Sequence, residues 1–368
     1  MGFRINVALN ISKMFHRRVI GWCFRLVSLI TGFVLLVILY RLFIMFPKIE
    51  GSIRLVGGSP KLTFHYIMTG IDTTLMKDFP TVYRETNGAV ENLRLLCDNE
   101  ADIGLTHASL EACKGITAIA NVSYTTLHII STRKSGVKKI TDIKNNTRVA
   151  IGPEGSGTAI LAHKLLNFYN INYSLVNVSS FEEEQKLLEN GQIDVAFLFG
   201  GTPIRFIQEL RNKQRYQLVD PICPGAFVRN QFYLVEDSLP QGLYGDNPPF
   251  PDHNIRTVSV LTVLVVSPEF GHKRGADRII EKITRLIFEN SHWLVRKHAA
   301  IMLSNKDFAR SVKAYPLHPG AEHYYSRSDR LITHEFLMLA GYTIMSVAYI
   351  VHLLTSIFDY RRRKQSTN

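Results

Sequence analysis

The sequence has few cysteines, and their spacing defines no disulfide framework. Four occur in 368 residues. Cys23 precedes a long apolar run near the N-terminus, which leaves Cys97, Cys113 and Cys223 in the rest of the chain. Their number is odd and none belongs to a Cys-x-x-Cys pair, so no particular disulfide is indicated. A disulfide between two of the three stays open.

Sequence motifs of catalysis are also absent. There is no Gly-x-Ser-x-Gly elbow, no His-Glu-x-x-His motif, and no pair of carboxylates that spacing alone would bring together. His318, Glu322 and His323 in the segment HPGAEHYY could hold a metal ion. A Pro-Gly turn with solvated histidines is the preferred interpretation of that segment. We therefore predict a protein that is not an enzyme and that has no catalytic residue, no metal and no cofactor.

Positive charge is concentrated at the two ends of the chain. The formal net charge is +12, and residues 1–46 together with 331–368 carry +8 of it. The 284 residues from 47 to 330 carry only +4, which is too dilute for a surface that follows nucleic-acid phosphates. We therefore expect no nucleic-acid partner.

Two apolar segments are long enough to cross a membrane. Residues 26–46 contain Arg41 as their single charged residue and would form a helix of about 31 Å. Residues 336–358 have no formal charge. A cleaved signal peptide is the alternative for the first segment. No small-x-small cleavage site follows it, so an uncleaved anchor is the preferred interpretation.

Basic residues flank both segments on the same side. Residues 1–25 carry +5 without an acid, and the letters RRRK follow the second segment within 359–368. The positive-inside rule therefore places both termini in the cytoplasm and residues 47–330 outside. This predicts a protein of the bacterial inner (cytoplasmic) membrane, with two spans in the lipid bilayer and a periplasmic or extracytoplasmic main domain.

Between these segments, short β-branched runs alternate with longer helical patterns, which is typical of an α/β domain. Predicted strands are 53–58, 101–106, 126–132, 148–152, 194–199 and 258–266, and predicted helices are 90–99, 158–170, 180–191 and 276–290. Each strand ends near a glycine or a polar loop, which is where open α/β sheets bind ligands. The Pro- and Gly-rich segment 240–254 is expected to be irregular and to connect two lobes.

A glycine-rich loop joins the strand at 148–152 to the next helix. Its letters GPEGSGT contain three glycines that let a ligand approach the backbone, and Ser156 and Thr158 offer hydroxyl and N–H donors. The helix start adds partial positive charge. The loop lacks the lysine of a Walker A motif and the third glycine of the dinucleotide fingerprint. A carboxylate-sized anion site is the preferred interpretation, and a purely structural turn is the alternative.

Four segments resemble, in order and spacing, the TAXI group of solute-binding subunits of tripartite ATP-independent periplasmic (TRAP) transporters. They are 86–110, 148–158, 187–203 and 315–325, and the resemblance covers nearly all of 50–327. It implies an α/β, two-lobed type II periplasmic-binding-protein fold, here flanked by N- and C-terminal transmembrane helices. One lobe would comprise about 50–135 and 256–330 and the other about 136–255, with crossovers near 135–147 and 220–256.

The resemblance also implies a ligand site in the cleft between the lobes. The ligand-binding residues would be Thr63, Phe64, His65, Asn87, Gly88, His107, Gly155, Ser156, Gly157, Thr158, Gly201 and Thr202. Two departures concern the ligand. Lys61 and Leu62 stand where the family has two glycines, and His107 stands where it has glutamine. The identity of the solute is therefore not carried over from the family.

Together these features predict a membrane-anchored solute-binding protein that captures a small organic anion, such as an amino acid or a dicarboxylate, and delivers it to TRAP-type permease subunits. Two alternatives stay open: a ligand-sensing receptor or scaffold for a membrane partner, and an enzyme on the same fold. The short tail at 359–368 has no output domain, which argues against the sensor. The missing acid-base and cofactor motifs argue against the enzyme.

Overall fold

The computed structural model describes residues 51–326, apart from positions 223, 230, 232 and 304, together with Gly32, Phe33, Leu36 and Tyr349. The predicted spans at 26–46 and 336–358 therefore lie almost entirely outside the described residues. Within the described part of the chain, no helix combines the length and the apolarity that crossing a membrane requires. The chain divides into two units after Gly51, and the fold below is that of the unit beginning at Ser52.

Parallel strands and two helices begin the first lobe. The strands are β1 (Ile53–Val56), β2 (Thr81–Arg84) and β3 (Ile103–His107), and the helices are α1 (Thr63–Leu75) and α2 (Ala89–Cys97). β1 lies between β2 and β3 and pairs in parallel with both. Every residue of β3 is buried, as expected of a parallel strand that is covered on both faces.

The second lobe repeats this pattern of short strands and intervening helices. Its strands are β5 (Arg148–Ala150), β6 (Ser174–Leu175), β7 (Val195–Gly200), β8 (Tyr216–Leu218) and β9 (Leu234–Leu239), and its helices are α3 (Gly157–Phe168), α4 (Phe181–Glu189), α5 (Arg205–Gln208) and α6 (Pro224–Arg229). Turns of 3-10 helix cover Arg133–Ser135, Ile140–Asp142 and Lys213–Arg215. β5 pairs in parallel with β6 and with β7.

Two long antiparallel strands, β4 (Thr117–Thr132) and β12 (Ile255–Val266), run through both lobes. β12 pairs with β3 of the first lobe through 262–266 and with β9 of the second lobe through 255–260. The chain therefore changes lobes inside these strands. The predicted crossovers near 135–147 and 220–256 are wrong in position, because both segments lie on the second-lobe side of β4 and β12.

The helices after β12 complete the first lobe. They are α7 (Pro268–His272), α8 (Ala276–Glu289), α9 (Ser291–Lys297), α10 (Lys306–Arg310) and α11 (Pro319–Ser326). α8 buries Ile279, Ile283 and Ile287 along one face, with the spacing of an amphipathic helix. Leu317, just before α11, forms a bridge with Ala118 of β4. The described residues thus confirm the two-lobed α/β arrangement that the resemblance implies.

The Pro- and Gly-rich segment 240–254 lies within the second lobe. It contains the short antiparallel pair β10 (Gly245–Asp246) and β11 (Pro249–Phe250). Tyr244 and Phe250 are buried in the second-lobe core together with Leu198 of β7. The segment therefore joins β9 to β12 as part of one lobe, and its predicted role as a connection between lobes is wrong.

Cys97 and Cys113 form a disulfide bond. Cys97 ends α2, and Cys113 lies in the loop between β3 and β4. The bond ties the far end of α2 to the segment that leads into β4. Sequence spacing did not identify this pair, because the two cysteines meet only when α2 packs beside β3.

Candidate ligand-binding site

Three helices begin at one small cavity between the lobes. α1 and α2 come from the first lobe and α3 comes from the second, and their initial residues line a cavity of about 20 Å³. Each helix start carries roughly half a positive charge and N–H groups without helical partners. Because three such starts converge, N–H donors and the positive ends of three helix dipoles lie at the cavity.

The first turns of α1 and α2 have no side-chain cap. Leu62 and Gly88 occupy the N-cap positions, and neither makes a side-chain hydrogen bond to its helix. By contrast, the hydroxyl of Ser156 accepts a hydrogen bond of 3.1 Å from the N–H of Ala159 and caps α3. Because leucine and glycine at these two caps offer no side-chain acceptor, N–H donors in the first turns of α1 and α2 are left without a side-chain cap.

Close packing explains two glycines of the loop before α3. Gly152 has a φ of +79°, and a Cβ there would lie 2.9 Å from the ring of Phe181. Gly157 does not have a positive φ, but a Cβ there would lie 3.2 Å from Cε1 of His107. Glycine at 157 therefore lets the start of α3 approach the first lobe closely.

A buried carboxyl group lies behind this loop. Glu184 of α4 is fully buried, and the N–H of Gly152 faces it, although no described residue offers its oxygens a hydrogen bond of good geometry. Burial raises the pKa of Glu184 well above its usual range, because desolvation penalises the charged form. Glu184 can thus support the loop without placing a negative charge beside the cavity.

His107, the last residue of β3, lies at the centre of the cleft. Its side chain is buried, and burial lowers its pKa to about 3, so the ring is neutral at pH 7. The ring packs edge-on against Phe64 and Phe199, with centroid distances of 5.3 and 5.0 Å. Its Nε2 has no hydrogen-bond partner among the described residues. The ring therefore presents an unpaired polar atom among aromatic neighbours.

The turn after β7 reaches from the second lobe to the first. The carbonyl of Gly201 accepts a hydrogen bond of 2.7 Å from Oγ1 of Thr63. Ile204, at the end of the turn, donates its N–H to the hydroxyl of Tyr244 at 3.0 Å, and that hydroxyl lies 2.8 Å from Nε2 of His128. Burial lowers the pKa of His128 to about 4, so its ring is neutral. This buried chain of hydrogen bonds fixes the turn that meets α1.

Further polar contacts join the lobes beside the cavity. Oγ of Ser59 donates to Oε1 of Glu182 at 2.9 Å, and Lys61 forms an ion pair with Glu209. A cavity of about 20 Å³ holds little more than one water molecule. The lobes are therefore closed on each other, and a molecule larger than water can enter only when they separate.

Seven of the twelve predicted ligand residues line the cavity: Thr63, Phe64, Asn87, Gly88, His107, Gly157 and Thr158. Ser156 caps α3 beside it, and Gly201 accepts the hydrogen bond from α1. Thr202 follows in the same turn, and its buried hydroxyl has no partner among the described residues. His65 lies apart with Nδ1 3.1 Å from the hydroxyl of Tyr83, and Gly155 is exposed on the loop.

Seven other residues line the cavity but are not among the twelve predicted ligand residues. They are Gly58, Ser59, Leu62, Ala89, Phe181, Phe199 and Gly200. The rule that ligands bind at the carboxyl ends of strands could have found Gly58 after β1 and Gly200 at the end of β7. Phe181 could not be found in this way, because it begins α4 and reaches the cavity by packing against Gly152.

The chain was compared with models of known protein families. Residues 66–327, more than two thirds of the chain, match the model of the NMT1-like family.

Similar solved structures include three that contain a bound small molecule. PhnD1 from Prochlorococcus marinus, in complex with methylphosphonate, is 11% identical with a TM-score of 0.47, over 68% of this chain and 90% of that chain. A periplasmic binding protein from Brucella ovis with glutathione bound is 10% identical with a TM-score of 0.43, over 66% and 70%. The GluR0 ligand-binding core from Nostoc punctiforme, in complex with L-glutamate, is 15% identical with a TM-score of 0.39, over 67% and 98%.

Proposed function

The chain belongs to the NMT1-like family, and from this premise we propose that it is a solute-binding protein that captures a small organic anion between its two lobes. The observation that carries the proposal is the convergence of the starts of α1, α2 and α3 on one cavity. None of the described residues that line this cavity carries a charge at pH 7. Backbone N–H groups and helix dipoles would therefore attract the anion.

A carboxylate suits this arrangement. Its two oxygens can accept hydrogen bonds from N–H groups of more than one helix start, and the hydroxyl of Thr158 lies at the same cavity. Each hydrogen bond to a charged group contributes about 1.5–3 kcal/mol. Closure of the lobes excludes water, which strengthens every electrostatic interaction in the cleft.

We propose that the ligand leaves the cleft chemically unchanged. His107 is the titratable side chain at the cavity, and burial holds it neutral. Two hydroxyls that line the cavity are used for closure: Ser59 donates to Glu182 and Thr63 donates to Gly201. These contacts suit capture and release better than covalent chemistry.

We propose further that two spans, 26–46 and 336–358, hold the protein in the bacterial inner membrane with residues 47–330 outside. Both segments lie almost entirely outside the described residues, so this part rests on their hydropathy and flanking charge. The disulfide between Cys97 and Cys113 supports an extracytoplasmic location, because disulfides persist in oxidising compartments.

We also propose that the chain belongs to the TAXI group and delivers its solute to a TRAP-type permease. This proposal rests on the resemblance of the four segments between 86 and 325. Two membrane spans would hold the binding lobes near a permease at a high effective concentration. Such a tether favours delivery to a partner in the same membrane over free diffusion.

Thermal unfolding of the purified chain with a panel of small carboxylates tests the proposal. An acid at a hundred times its Kd should stabilise the protein by about 2.7 kcal/mol. Gly157→Val should abolish this shift, since valine would fill the space between α3 and His107. Gly245→Val is the matched control, because no atom lies within 4 Å of the added Cβ. If no carboxylate shifts the transition, or if both variants respond equally, the proposal fails.

A further inference from the structure

The side chain of Leu62 crosses from the first lobe into the second. Leu62 directly precedes α1 of the first lobe, yet it belongs to the buried apolar cluster of the second lobe, together with Phe181 and Ile204. It is only 9% exposed, and a Cβ on Gly200 would lie 3.6 Å from one of its methyl groups. An apolar side chain of one lobe is therefore buried in the core of the other.

Hydrogen bonds hold the residues on both sides of Leu62 to the second lobe. The carbonyl of Lys61 accepts a hydrogen bond of 3.3 Å from the N–H of Phe206. The hydroxyl of Thr63 donates to the carbonyl of Gly201 at 2.7 Å. These three consecutive residues are thus fixed along the segment that leads from the end of β7 into α5, and the backbone directs the leucine side chain into the second lobe.

A network of charged and aromatic side chains joins the lobes beside Leu62. Lys61 forms an ion pair with Glu209, and Arg205 forms a second ion pair with the same carboxylate. The guanidinium of Arg205 also donates to the hydroxyl of Tyr66 on α1, and its central carbon lies 5.4 Å from the centre of that ring. Arg205 and Glu209 of the second lobe are therefore bound to Lys61 and Tyr66 of the first.

These contacts leave no space for a solute. Leu62 lines the cavity at the helix starts, and the volume of that cavity is about 20 Å³, which is the space of about one water molecule. Even the smallest carboxylic acids are larger than water, so the lobes cannot keep this arrangement when an acid is bound. The contact of Leu62 with the second lobe therefore belongs to the unliganded protein and competes with the solute.

We propose that Leu62, supported by the ion pair of Lys61 with Glu209, holds the cleft closed in the unliganded protein, and that a solute binds by displacing Leu62 from the second lobe. Only the displacement rests on the proposed anion capture, because closure of the unliganded chain needs no ligand. Since the solute enters the open form, its apparent affinity is reduced by the fraction of the protein that is open. Leu62 thereby sets the affinity of the cleft for its solute.

A distance measured between the lobes tests closure in the absence of any ligand. Spin labels are attached to Glu85→Cys and Glu154→Cys, exposed positions in the loops that follow β2 and β5. The label pair is placed in the purified full-length chain with Cys23 and Cys223 replaced by serine, which leaves the native disulfide intact. Pulsed electron paramagnetic resonance without ligand should give a single short distance between the labels.

Variants of the interlobe contacts should open the cleft. Leu62→Ala and Lys61→Met should each add a population with a longer distance between the labels. Leu218→Ala is the matched control, because this leucine belongs to the same apolar cluster but lies on β8 of the second lobe. Lys186→Met, at an exposed position of α4, is the control for loss of a charge. Both controls should keep the short distance, and Lys61→Met keeps the test decisive if Leu62→Ala does not fold.

Isothermal titration with heptanoate tests the displacement of Leu62. A closed form that outnumbers the open form by about ten to one lowers the apparent affinity about tenfold. Leu62→Ala should therefore bind heptanoate about tenfold more tightly than the unchanged protein, whereas Leu218→Ala should not differ from it. Equal or weaker binding by Leu62→Ala would overturn the displacement, because it would mean that Leu62 does not compete with the acid.

The outcomes separate this inference from the proposed function. A long distance in the unliganded, unchanged chain, or a short distance that persists in both Leu62→Ala and Lys61→Met, overturns closure by these residues whether or not an acid binds. If no form of the protein binds heptanoate, capture and displacement of Leu62 by this acid both fail, and the distances still decide closure. A distance that lengthens only in Leu62→Ala and Lys61→Met, with tighter heptanoate binding by Leu62→Ala, supports the inference.

Discussion

At the scale of single residues, the hydroxyl of Ser156 acts on a helix rather than on the cavity. It caps α3 through the N–H of Ala159. We therefore expect Ser156→Ala to lower the free energy of unfolding by about 1 kcal/mol and to affect ligand affinity less than Gly157→Val. Ser180→Ala removes the equivalent cap of α4 and serves as a control for stability without a site effect. A Ser156→Ala protein of full stability and much reduced affinity would contradict this role.

Lowering the pH should reduce the free energy of unfolding, because two histidine side chains are buried. The pKa of His107 is lowered to about 3 and that of His128 to about 4, because both rings are buried. The unfolded chain takes up protons near pH 6.5, whereas the folded protein does not. Stability contributed by each neutral ring is therefore complete above pH 6.5 and is lost as the pH falls toward 4, by at most about 1.4 kcal/mol per pH unit.

Unfolding measured between pH 7 and pH 4.5 checks this expectation. His107→Gln should show a shallower loss of stability than the unchanged protein, because glutamine does not titrate. His292→Gln, on an exposed position of α9, should follow the unchanged protein. If the free energy of unfolding depends on pH in the same way in all three proteins, protonation of His107 does not destabilise the fold, and the expectation is wrong.

For the glycine-rich loop, the sequence predicts the close approach of the backbone but not the residue that it meets. The letters GPEGSGT predict a close approach of the backbone, and Gly157 does meet the opposite lobe. The partner of that approach, His107, comes from a strand about fifty residues earlier. Its contact with Gly157 depends on the docking of two lobes, which local sequence patterns do not specify.

At the scale of elements, α1 is a helix that the composition of its segment does not predict. The segment 63–75 is rich in threonine and contains Gly70, and these residues disfavour helices. Yet its buried apolar residues Phe64, Ile67, Ile71 and Leu75 follow a helical period. The helix is thus stabilised by burial against the sheet and not by propensity. By contrast, β7 and α8 were predicted, because the apolar residues of each follow a pattern that is recognisable in the sequence itself.

The disulfide between α2 and the segment before β4 should contribute measurably to stability. It closes a loop with a sequence separation of 16 residues, for which chain entropy predicts about 3 kcal/mol. A double variant Cys97→Ser, Cys113→Ser should lose about this much free energy of unfolding and should not respond to reductant. The unchanged protein should lose the same amount on reduction. Identical unfolding of all forms would show that the bond is not formed in solution.

At the scale of the whole molecule, β4 and β12 join the two lobes into one continuous sheet. The alternating pattern of the sequence predicts an α/β fold, but it does not reveal where a strand passes from one lobe to the other. The first half of β4 was missed because residues 117–125 include Asn121 and Ser123, polar residues that are buried in the middle of the strand. Positions at which the lobes meet are therefore the least predictable part of this fold.

Membrane topology gives a prediction at the scale of the whole molecule. Because basic residues flank the inner side of both apolar segments, both termini should be cytoplasmic. A reporter that is active only in the periplasm should be inactive when fused after Asn368 and active when inserted at the exposed Gly191. A periplasmic C-terminus, or a mature N-terminus near residue 47, would contradict the two-span arrangement.

Recognition of negative charge by three converging helix starts is tested most directly by comparing an acid with its neutral isostere. Isothermal titration of the purified chain at pH 7 with heptanoate and with heptanamide varies charge while keeping size and shape nearly constant. Anion capture predicts that the acid binds at least about tenfold more tightly than the amide. It also predicts that Gly157→Val removes this preference while Gly245→Val retains it. Equal affinity for the acid and the amide would contradict anion recognition in this cleft.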